Sequence, residues 1–273
     1  PFTFNGVRSL IGAAGILVYI LISRKIAGDK AAKLDWKLNA KAGLLCGIFL
    51  TIASTLQQFG IKYTSVGKAG FITTLYIIFV PMFGIFLKKK VAPVVWAAAV
   101  MAAVGMYLLC MTESLRLGAG DIMVFLCAIA FAIQIMTVDH YAARIDGAVV
   151  SCIQFTVCGV VCCIGALIWG QPTFGQIQEG LGALLYAGVL SCGVGYTLQI
   201  VGQKGLNPTV AALIMSLESV IATISGWIAY KIGFLTTDQT LTPRQIAGCV
   251  IVFAAVILVQ LPPEWFRFGK KNA

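Results

Sequence analysis

The sequence predicts an all-α, polytopic membrane protein, and two observations carry that prediction. Of the 273 residues, 59% are hydrophobic and only 11% are charged, against roughly 45–50% and 25% in soluble domains. Apolar runs of about 20 residues, the length of a helix that crosses about 30 Å of hydrocarbon, recur along the whole chain. An ordinary water-soluble protein is excluded, because these residues do not supply the charged surface that it would need.

Charged and turn-forming residues divide the chain into nine predicted membrane spans. They cover residues 1–23, 43–63, 66–87, 91–110, 121–138, 148–169, 180–202, 206–230 and 244–261. Two spans open with a cap residue followed by proline at the first helical position, Asn207-Pro208 and Thr242-Pro243, which is typical of helix starts. The connectors are short and leave no room for a soluble domain.

The net charge of +10 indicates membrane topology and not nucleic-acid binding, because no exposed basic run is interleaved with aromatic residues. Alternate connectors and the C-terminal tail hold most of the basic residues: Arg24, Lys25, Lys30, Lys33, Lys37, Lys41, Lys88, Lys89, Lys90, Arg144, Lys204, Arg267, Lys270 and Lys271. The other connectors and helix ends hold Lys62, Lys68, Arg116, Lys231 and Arg244. Cytoplasmic loops are rich in Lys and Arg. We therefore expect a multi-pass protein of a bacterial plasma membrane, with its C-terminus cytoplasmic and residue 1 outside.

An internal repeat is visible when the chain is shifted by 142 positions, which aligns Thr55-Leu56-Gln57 with Thr197-Leu198-Gln199. Gapless matches continue with Gly60 and Gly202, Lys62 and Lys204, Ser65 and Asn207, Ala69 and Ala211, Ile72 and Ile214, Leu75 and Leu217, and Gly84 and Gly226. The predicted topology runs the matched spans in opposite directions, so the two halves are predicted to be inverted repeats. Two repeats can be inverted only if each contains an odd number of spans. The first half has four predicted spans and the second has five, which implies one helix before Pro1. Inverted halves can open a central site to either side in turn, which is the physical basis for predicting a transporter.

Three stretches, PFTFNGVRSLIGA, TLQQFGIKYTSVGKAGFITTLYIIFVPMFG and NPTVAALIMSLESVIATISGW, are similar to the EamA-like permeases of the drug/metabolite transporter superfamily. The resemblance covers essentially the whole chain and implies ten helices in two inverted five-helix repeats, with both termini cytoplasmic. Here it assigns helices two to five to residues 1–110 and helices six to ten to residues 111–273, so that the first helix is lacking. It also implies transport of small metabolites or amino acids.

Two segments match the family's motifs residue by residue. Pro1 and Arg8 match the proline and arginine near the start of helix two. Leu217-Glu218-Ser219-Val220 keeps the acid of the family's Leu-Glu-Pro-Val segment and has serine in place of its proline.

Glu218 is the first candidate for the binding site. It lies about 18 Å along its predicted span, near the bilayer middle, where an ionised carboxylate costs on the order of several kcal/mol. We predict that it binds substrate or the coupling proton or cation; the alternative is a neutral, structural acid bonded to a neighbouring helix. Arg8, about 10 Å inside the first span, either binds an anionic group or extends its head to the interface.

Three glutamines are further candidates for the substrate-binding lining. Gln57 and Gln199 are repeat-related amides in mid-helix, and either contact substrate or hold helices together. Gln154 is the approximate repeat counterpart of Arg8, so the two halves are predicted to present different chemistry to the cavity.

Two residues of the third span complete the predicted site. Tyr76, the repeat counterpart of Glu218, either lines the same cavity or packs with its hydroxyl satisfied. Pro81 interrupts the hydrogen-bond ladder and is predicted as a hinge, with helix packing as the alternative.

Three features are given structural predictions. The small-xxx-small pairs Ala98/Ala102 and Ala99/Ala103 predict close helix packing, within the bundle or between the copies of a homodimer. Asp121 is predicted to cap its helix. Lys68, at a helix mouth, is predicted to extend its ammonium group to the interface.

Motifs of catalysis and cofactor binding are absent from the sequence. The only histidine, His140, is predicted in a cytoplasmic loop, and the nine cysteines form no paired CxxC motifs, so we predict no haem, zinc or other cofactor. HExxH, Ser-His-Asp and phosphate-loop patterns are also missing. We therefore predict no catalytic residue, no enzyme and no nucleotide-driven motor.

The predicted function is a secondary-active permease that works by alternating access. Its expected partners are a small-molecule substrate, the lipid bilayer and a coupling proton or cation, with no nucleic acid. The alternatives are a non-transporting membrane scaffold, a truncated inactive fragment and, less favoured, a membrane enzyme acting on lipids. The last would have to use Asp139, His140 and Asp146, which are scattered.

Overall fold

The protein is a bundle of membrane-length helices in the computed structural model, which describes residues 1–28, 34–88, 91–111, 118–169, 174–233 and 240–261. In these residues, nine helices are long and apolar enough to cross a membrane: α1 (Phe2–Ala27), α2 (Trp36–Gly60), α3 (Val66–Phe86), α4 (Pro93–Cys110), α5 (Ala119–Ala142), α6 (Gly147–Trp169), α7 (Leu181–Gly202), α8 (Pro208–Lys231) and α9 (Pro243–Gln260). A short helix, Phe174–Glu179, precedes α7, and no strand occurs in the described ranges. The predicted all-α membrane fold is confirmed.

Helix starts follow local capping chemistry. The α2 helix begins at Trp36 and not at residue 43, because the Asp35 carboxylate accepts the backbone N–H of Leu38 at 3.0 Å. The caps predicted at Asn207 and Thr242 are confirmed, since each side chain accepts a backbone N–H of its own first turn.

The end of α5 corrects one prediction. His140, predicted in a loop, lies in the last turn of α5 and packs its ring edge-to-face on Tyr141, with 4.7 Å between the ring centroids. Of the basic residues behind the predicted orientation, several lie outside the described residues: Lys30, Lys33, Lys89, Lys90, Arg116, Arg267, Lys270 and Lys271.

Successive helices cross the bundle in alternating directions, and two ion pairs mark its ends. Lys68 at the start of α3 pairs with Asp121 at the start of α5; we call this the Lys68 end. Arg24 near the end of α1 pairs with Asp146 before α6 at 3.6 Å; we call this the Arg24 end. The matched helices α2 and α7 therefore run in opposite directions, as do α3 and α8.

Close packing holds the bundle together where α4 meets α9. A methyl group on Gly105 would lie 2.9 Å from the carbonyl oxygen of Gly248, and one on Gly248 would lie 2.7 Å from the carbonyl oxygen of Gly105. Ala98 and Ala102 are fully buried in the same cluster. These alanines pack inside the bundle, as one of the two sequence-based alternatives predicts, and the homodimer stays a prediction.

Large apolar side chains cover much of the outside of the bundle. Ile26, Phe86 and Leu167 are 82%, 77% and 74% exposed. Such a surface is unfavourable in water and suits hydrocarbon, because lipid tails are as apolar as these side chains. The exposed faces thus agree with a multi-pass membrane protein.

Candidate functional site

The helices α3 and α8 are each broken for one residue near their middle, at Leu75 and Ser216, which are within one position of each other in the repeat. The α3 helix consists of Val66–Thr74 and Tyr76–Phe86, and the α8 helix consists of Pro208–Met215 and Leu217–Lys231. Both begin at a capping side chain, Ser65 and Asn207 respectively. Broken helices at mid-depth are where membrane transporters bind substrates and ions.

A hydroxyl at the same repeat position accompanies each break. Thr74 donates to the carbonyl oxygen of Gly70 at 2.8 Å, and Ser216, 142 positions later, donates to that of Leu213 at 2.6 Å. Such bonds from a side chain to the preceding helical turn favour bends. The break in α8 thus forms without the proline that the resemblance would place at residue 219.

Pro81, the predicted hinge, is not at the break in α3. It is buried inside the continuous segment Tyr76–Phe86, whereas the chain breaks at Leu75. The predicted hinge role of Pro81 stays a prediction, and the observed discontinuity lies closer to Thr74.

Glu218 and Tyr76 are positioned directly after the two breaks. The Glu218 side chain is exposed, and its carboxylate interacts electrostatically with the hydroxyl groups of Tyr76 on α3 and Tyr196 on α7. Glu218, Tyr76, Tyr196 and Arg8 are the polar groups that these interactions connect, and we call the region between them the central chamber.

Tyr196 is the chamber residue that sequence reasoning missed. The middle of α7, Tyr186–Gly195, is π-helical, and the backbone N–H of Tyr196 still makes a π-type bond to the carbonyl oxygen of Ser191. An α-helical segment, Tyr196–Gly202, follows. Each π turn holds an extra residue and so rotates the following side chains relative to an α-helix. The ring of Tyr196 packs edge-to-face on Phe155, with centroids 5.3 Å apart, which fixes its direction. The cluster Gly188, Gly193 and Gly195 was the available signal.

Arg8 borders the chamber from α1. Its guanidinium carbon lies 5.3 Å from the centroid of the Phe4 ring, and its charge interacts with Tyr196. Its Nε atom is buried without a hydrogen bond. No carboxylate in the described part of the chain forms an ion pair with Arg8.

The three predicted glutamines are not equivalent. The Gln57 amide donates to the hydroxyl of Thr73 at 3.3 Å, and so links α2 to α3. Gln199, its repeat counterpart, is partly exposed. Gln154 is completely buried and accepts a hydrogen bond from Gln134 at 3.4 Å, so it has no accessible surface in this conformation.

The Lys68 end of the bundle is closed by a buried ion pair. Lys68 and Asp121 are 7% and 3% exposed, and the Asp121 carboxylate also accepts hydrogen bonds from the Thr64 hydroxyl and the Gly118 backbone N–H. The predicted helix cap at Asp121 is confirmed. The prediction that Lys68 extends to the interface is wrong, because its ammonium group turns inward to this carboxylate.

A cleft opens at the Arg24 end, between α1 and α7. Its volume is about 710 Å³, and its lining includes Tyr19, Ser23, Arg24, Asp146 and Thr197. Within the described residues, no group of three or more His, Cys, Asp or Glu side chains has a geometry that could hold a metal ion.

Comparison with known proteins gives a consistent result. The family model described as the EamA-like transporter family matches residues 1–111 and 118–261. An uncharacterized transporter of Archaeoglobus fulgidus is 27% identical over 267 residues, covering 96% of this chain and 77% of that protein. An uncharacterized transporter of Clostridium kluyveri is 22% identical over 269 residues, covering 94% of this chain and 83% of that protein. These names indicate a transporter.

One solved crystal structure has the same fold. It aligns with a TM-score of 0.75 at 15% sequence identity, covering 98% of this chain and 90% of that chain. At this level of identity the similarity supports the fold alone.

Proposed function

Because this chain belongs to the EamA-like transporter family, we propose that it is a secondary-active permease that carries a small metabolite, an amino acid or a drug across the membrane by alternating access. The observation that carries the proposal is the central chamber. Arg8, Tyr76, Tyr196 and Glu218 come from four helices and interact electrostatically in pairs, and Glu218 lies in the first turn after the interruption of α8. A binding site at mid-depth between two oppositely oriented halves is the arrangement that alternating access requires.

Glu218 is the proposed coupling group. An ionised carboxylate at the bilayer centre costs about 2.5–3.5 kcal/mol on insertion scales, so the chamber changes its accessible side more readily when that charge is neutralised. A proton, or the cationic group of a ligand, neutralises it. Because both use the same carboxylate, they exclude each other, and this exclusion couples substrate movement to an ion gradient.

The proposed orientation follows from the basic residues of the connectors. With the C-terminus cytoplasmic in a bacterial plasma membrane, the Arg24 end faces the cytoplasm and the Lys68 end faces outward. The Lys68–Asp121 pair then seals the outer end, and the cleft between α1 and α7 opens inward. Accessibility of a C-terminal tag to protease in intact spheroplasts and in lysed cells tests this orientation; digestion in intact spheroplasts would contradict it.

Transport is tested with purified protein in proteoliposomes and a panel of radiolabelled amino acids and drugs. We expect flux of at least one compound that depends on an imposed pH gradient. Glu218→Gln abolishes the pH-driven component because the amide cannot exchange a proton, whereas Glu218→Asp retains part of it. Size-exclusion profiles of both variants verify folding.

Two results would contradict the proposal. Unchanged pH-driven flux in Glu218→Gln refutes the coupling role of this residue. A wild-type protein that moves no compound of the panel, under any gradient, counts against the transport activity itself.

A further inference from the structure

Two buried thiols in the middle of α6 face the same neighbouring helix. Cys158 and Cys162 are 1% and 0% exposed and stand four residues apart, so their Cβ atoms are about 5–6 Å from each other on one face of the helix. Both sulfur atoms point to α2. The hydroxyl of Ser54 lies 3.7 Å from the Cys158 sulfur, and that of Thr55 lies 3.7 Å from the Cys162 sulfur. Consecutive residues of α2 therefore hold the two thiols side by side.

A third helix encloses the Cys158 sulfur. Ser9 on α1 is buried and donates its hydroxyl proton to this sulfur at 3.5 Å. The α1 and α6 backbones are almost in contact beside the thiols. A methyl group on Gly6 would lie 3.0 Å from the backbone nitrogen of Cys163 and 3.4 Å from the carbonyl carbon of Cys162. The two thiols thus lie at a tightly packed junction of α1, α2 and α6, which favours a single ion over a molecule.

Two thiols in this arrangement suit a soft metal ion. Cysteine sulfur selects copper(I) and related ions, whereas structural zinc sites are almost always completed by four ligands. With metal–sulfur bonds of about 2.3 Å, a linear unit of two sulfur atoms and one ion spans about 4.6 Å. This span is slightly shorter than the separation of the two Cβ atoms, so both side chains reach one ion while α6 stays in place. The hydroxyl donor of Ser9 stabilises the thiolate that a metal requires.

We propose that Cys158 and Cys162 form a two-coordinate site for a soft monovalent cation, copper(I) or silver(I), at the junction of α1, α2 and α6. One thiol releases its proton as its metal–sulfur bond forms, and the other binds through a sulfur lone pair and keeps its proton. The departing proton balances the incoming charge. The site therefore stays neutral at mid-depth, about 17 Å along α6, where a net charge is costly. Its ligands are not chamber residues, so the site is independent of the transport proposal.

Retention of silver(I) by the purified full-length protein in detergent tests the site. The protein is incubated with silver nitrate and dialysed against excess glutathione, a single-thiol competitor that removes silver from isolated cysteines. Bound silver is then measured by mass spectrometry. We expect one silver ion per chain to remain, and copper(I), supplied without oxygen as its acetonitrile complex, to displace it. Zinc(II) treated in the same way is not retained, because two ligands do not complete its tetrahedral shell.

Substitutions assign the ligands. Loss of a group beside a metal ligand costs about 10–100-fold in affinity, so we expect Ser9→Ala to weaken silver binding by about tenfold, and Cys158→Ser or Cys162→Ser to weaken it by at least about 100-fold. Cys46→Ser is the matched control, because Cys46 is equally buried, on α2, and packs in the apolar cluster that contains Ala42. It leaves silver retention unchanged.

Three results would overturn the proposal. A wild-type protein that loses all its silver to glutathione has no two-thiol site. Retention by the double variant Cys158→Ser, Cys162→Ser assigns the ion to other cysteines, and equal retention of zinc(II) indicates a different ligand set. Size-exclusion profiles verify folding, and alanine replaces serine in any variant that does not fold. The transport test with Glu218→Gln uses no metal, so the two proposals fail separately.

Discussion

The two matched helix pairs, α2 with α3 and α7 with α8, share a scaffold and differ in how tightly they are held. Both pairs have a capped start and a hydroxyl-stabilised break. In the first pair, Gln57 is bonded to Thr73 and Lys68 to Asp121. In the second pair, the residue at the Lys68 position is Val210, the middle of α7 is π-helical, and Glu218 is accessible.

This difference indicates a division of roles between the halves. Segments with few buried contacts and irregular bonding open at lower free energy than well-packed ones. We therefore expect the first pair to form the more rigid side of the chamber, and the second pair, which carries Glu218, to be the side that changes shape.

The largest expected effect comes from breaking the ion pair that ties α3, in the first matched pair, to α5. Asp121→Asn removes the charge opposite the buried Lys68, so we expect the free energy of unfolding to fall by about 3–5 kcal/mol. The double variant Lys68→Met, Asp121→Leu recovers most of the loss, because Val210 shows that the matched position accepts an apolar residue. Denaturation of the purified protein in detergent measures both. A single variant as stable as the wild type would contradict the assignment of α2 and α3 as the rigid side.

A smaller effect is expected at the contact that joins the halves. Gly248→Ala places a methyl group 2.7 Å from the carbonyl oxygen of Gly105, and overpacking of this kind costs about 1–3 kcal/mol. Gly15→Ala is the control, since a methyl group added there would have no atom within 4 Å. Thermal unfolding of both variants tests this. Equal melting temperatures of the two variants would show that the close contact between α4 and α9 does not contribute to stability.

The origin of the breaks can be tested in each half separately. Ser216→Ala and Thr74→Ala each remove one bond to the preceding turn, worth about 1 kcal/mol, and we expect slower amide hydrogen exchange just after each break as the helix straightens. Pro81→Ala leaves exchange near Leu75 unchanged, because Pro81 lies inside the next segment. If only Pro81→Ala slows exchange at Leu75, the proline and not the hydroxyl causes the break.

The smallest effect distinguishes the repeat-related amides. Gln57→Leu loses its bond to Thr73, so a double-mutant cycle with Thr73→Val should give a coupling of about 0.6 kcal/mol, the average for such bonds in membranes. The cycle of Gln199→Leu with Thr197→Val, in the second half, should give a coupling near zero. Coupling energies of equal size in both halves would contradict the prediction that Gln57 and Gln199 differ in their bonding.

Much of the fold could be predicted because hydrocarbon thickness sets helix length and capping residues set helix starts, as at Asn207 and Thr242. The start of α2 at Trp36 was missed because its first turns are polar and only the Asp35 cap marks them. The Lys68–Asp121 pair joins residues 53 apart, and no local pattern encodes such a contact.

The chamber was only partly predictable for a related reason. Glu218 stands out in an apolar run, whereas Tyr196 is one of eight tyrosines and faces the chamber only because the π-helical turns before it rotate its side chain. An α-helical projection of α7 assigns such a residue to the wrong face. Gln154 is also difficult to judge from sequence, because a mid-helix amide can bond to another amide, here that of Gln134; its role in binding substrate stays a prediction.

The π-helical stretch of α7 has one more physical consequence. In its ten residues the backbone N–H groups bond to the carbonyl oxygen five residues earlier, whereas an α-helix uses the one four residues earlier. A change from one pattern to the other keeps the backbone groups hydrogen-bonded. This matters in hydrocarbon, where each unbonded group would cost several kcal/mol. A shift by one residue turns everything beyond it by about 100°. The phenol of Tyr196 would then turn away from its edge-to-face contact with Phe155, and α7 would present a different side chain to the central chamber.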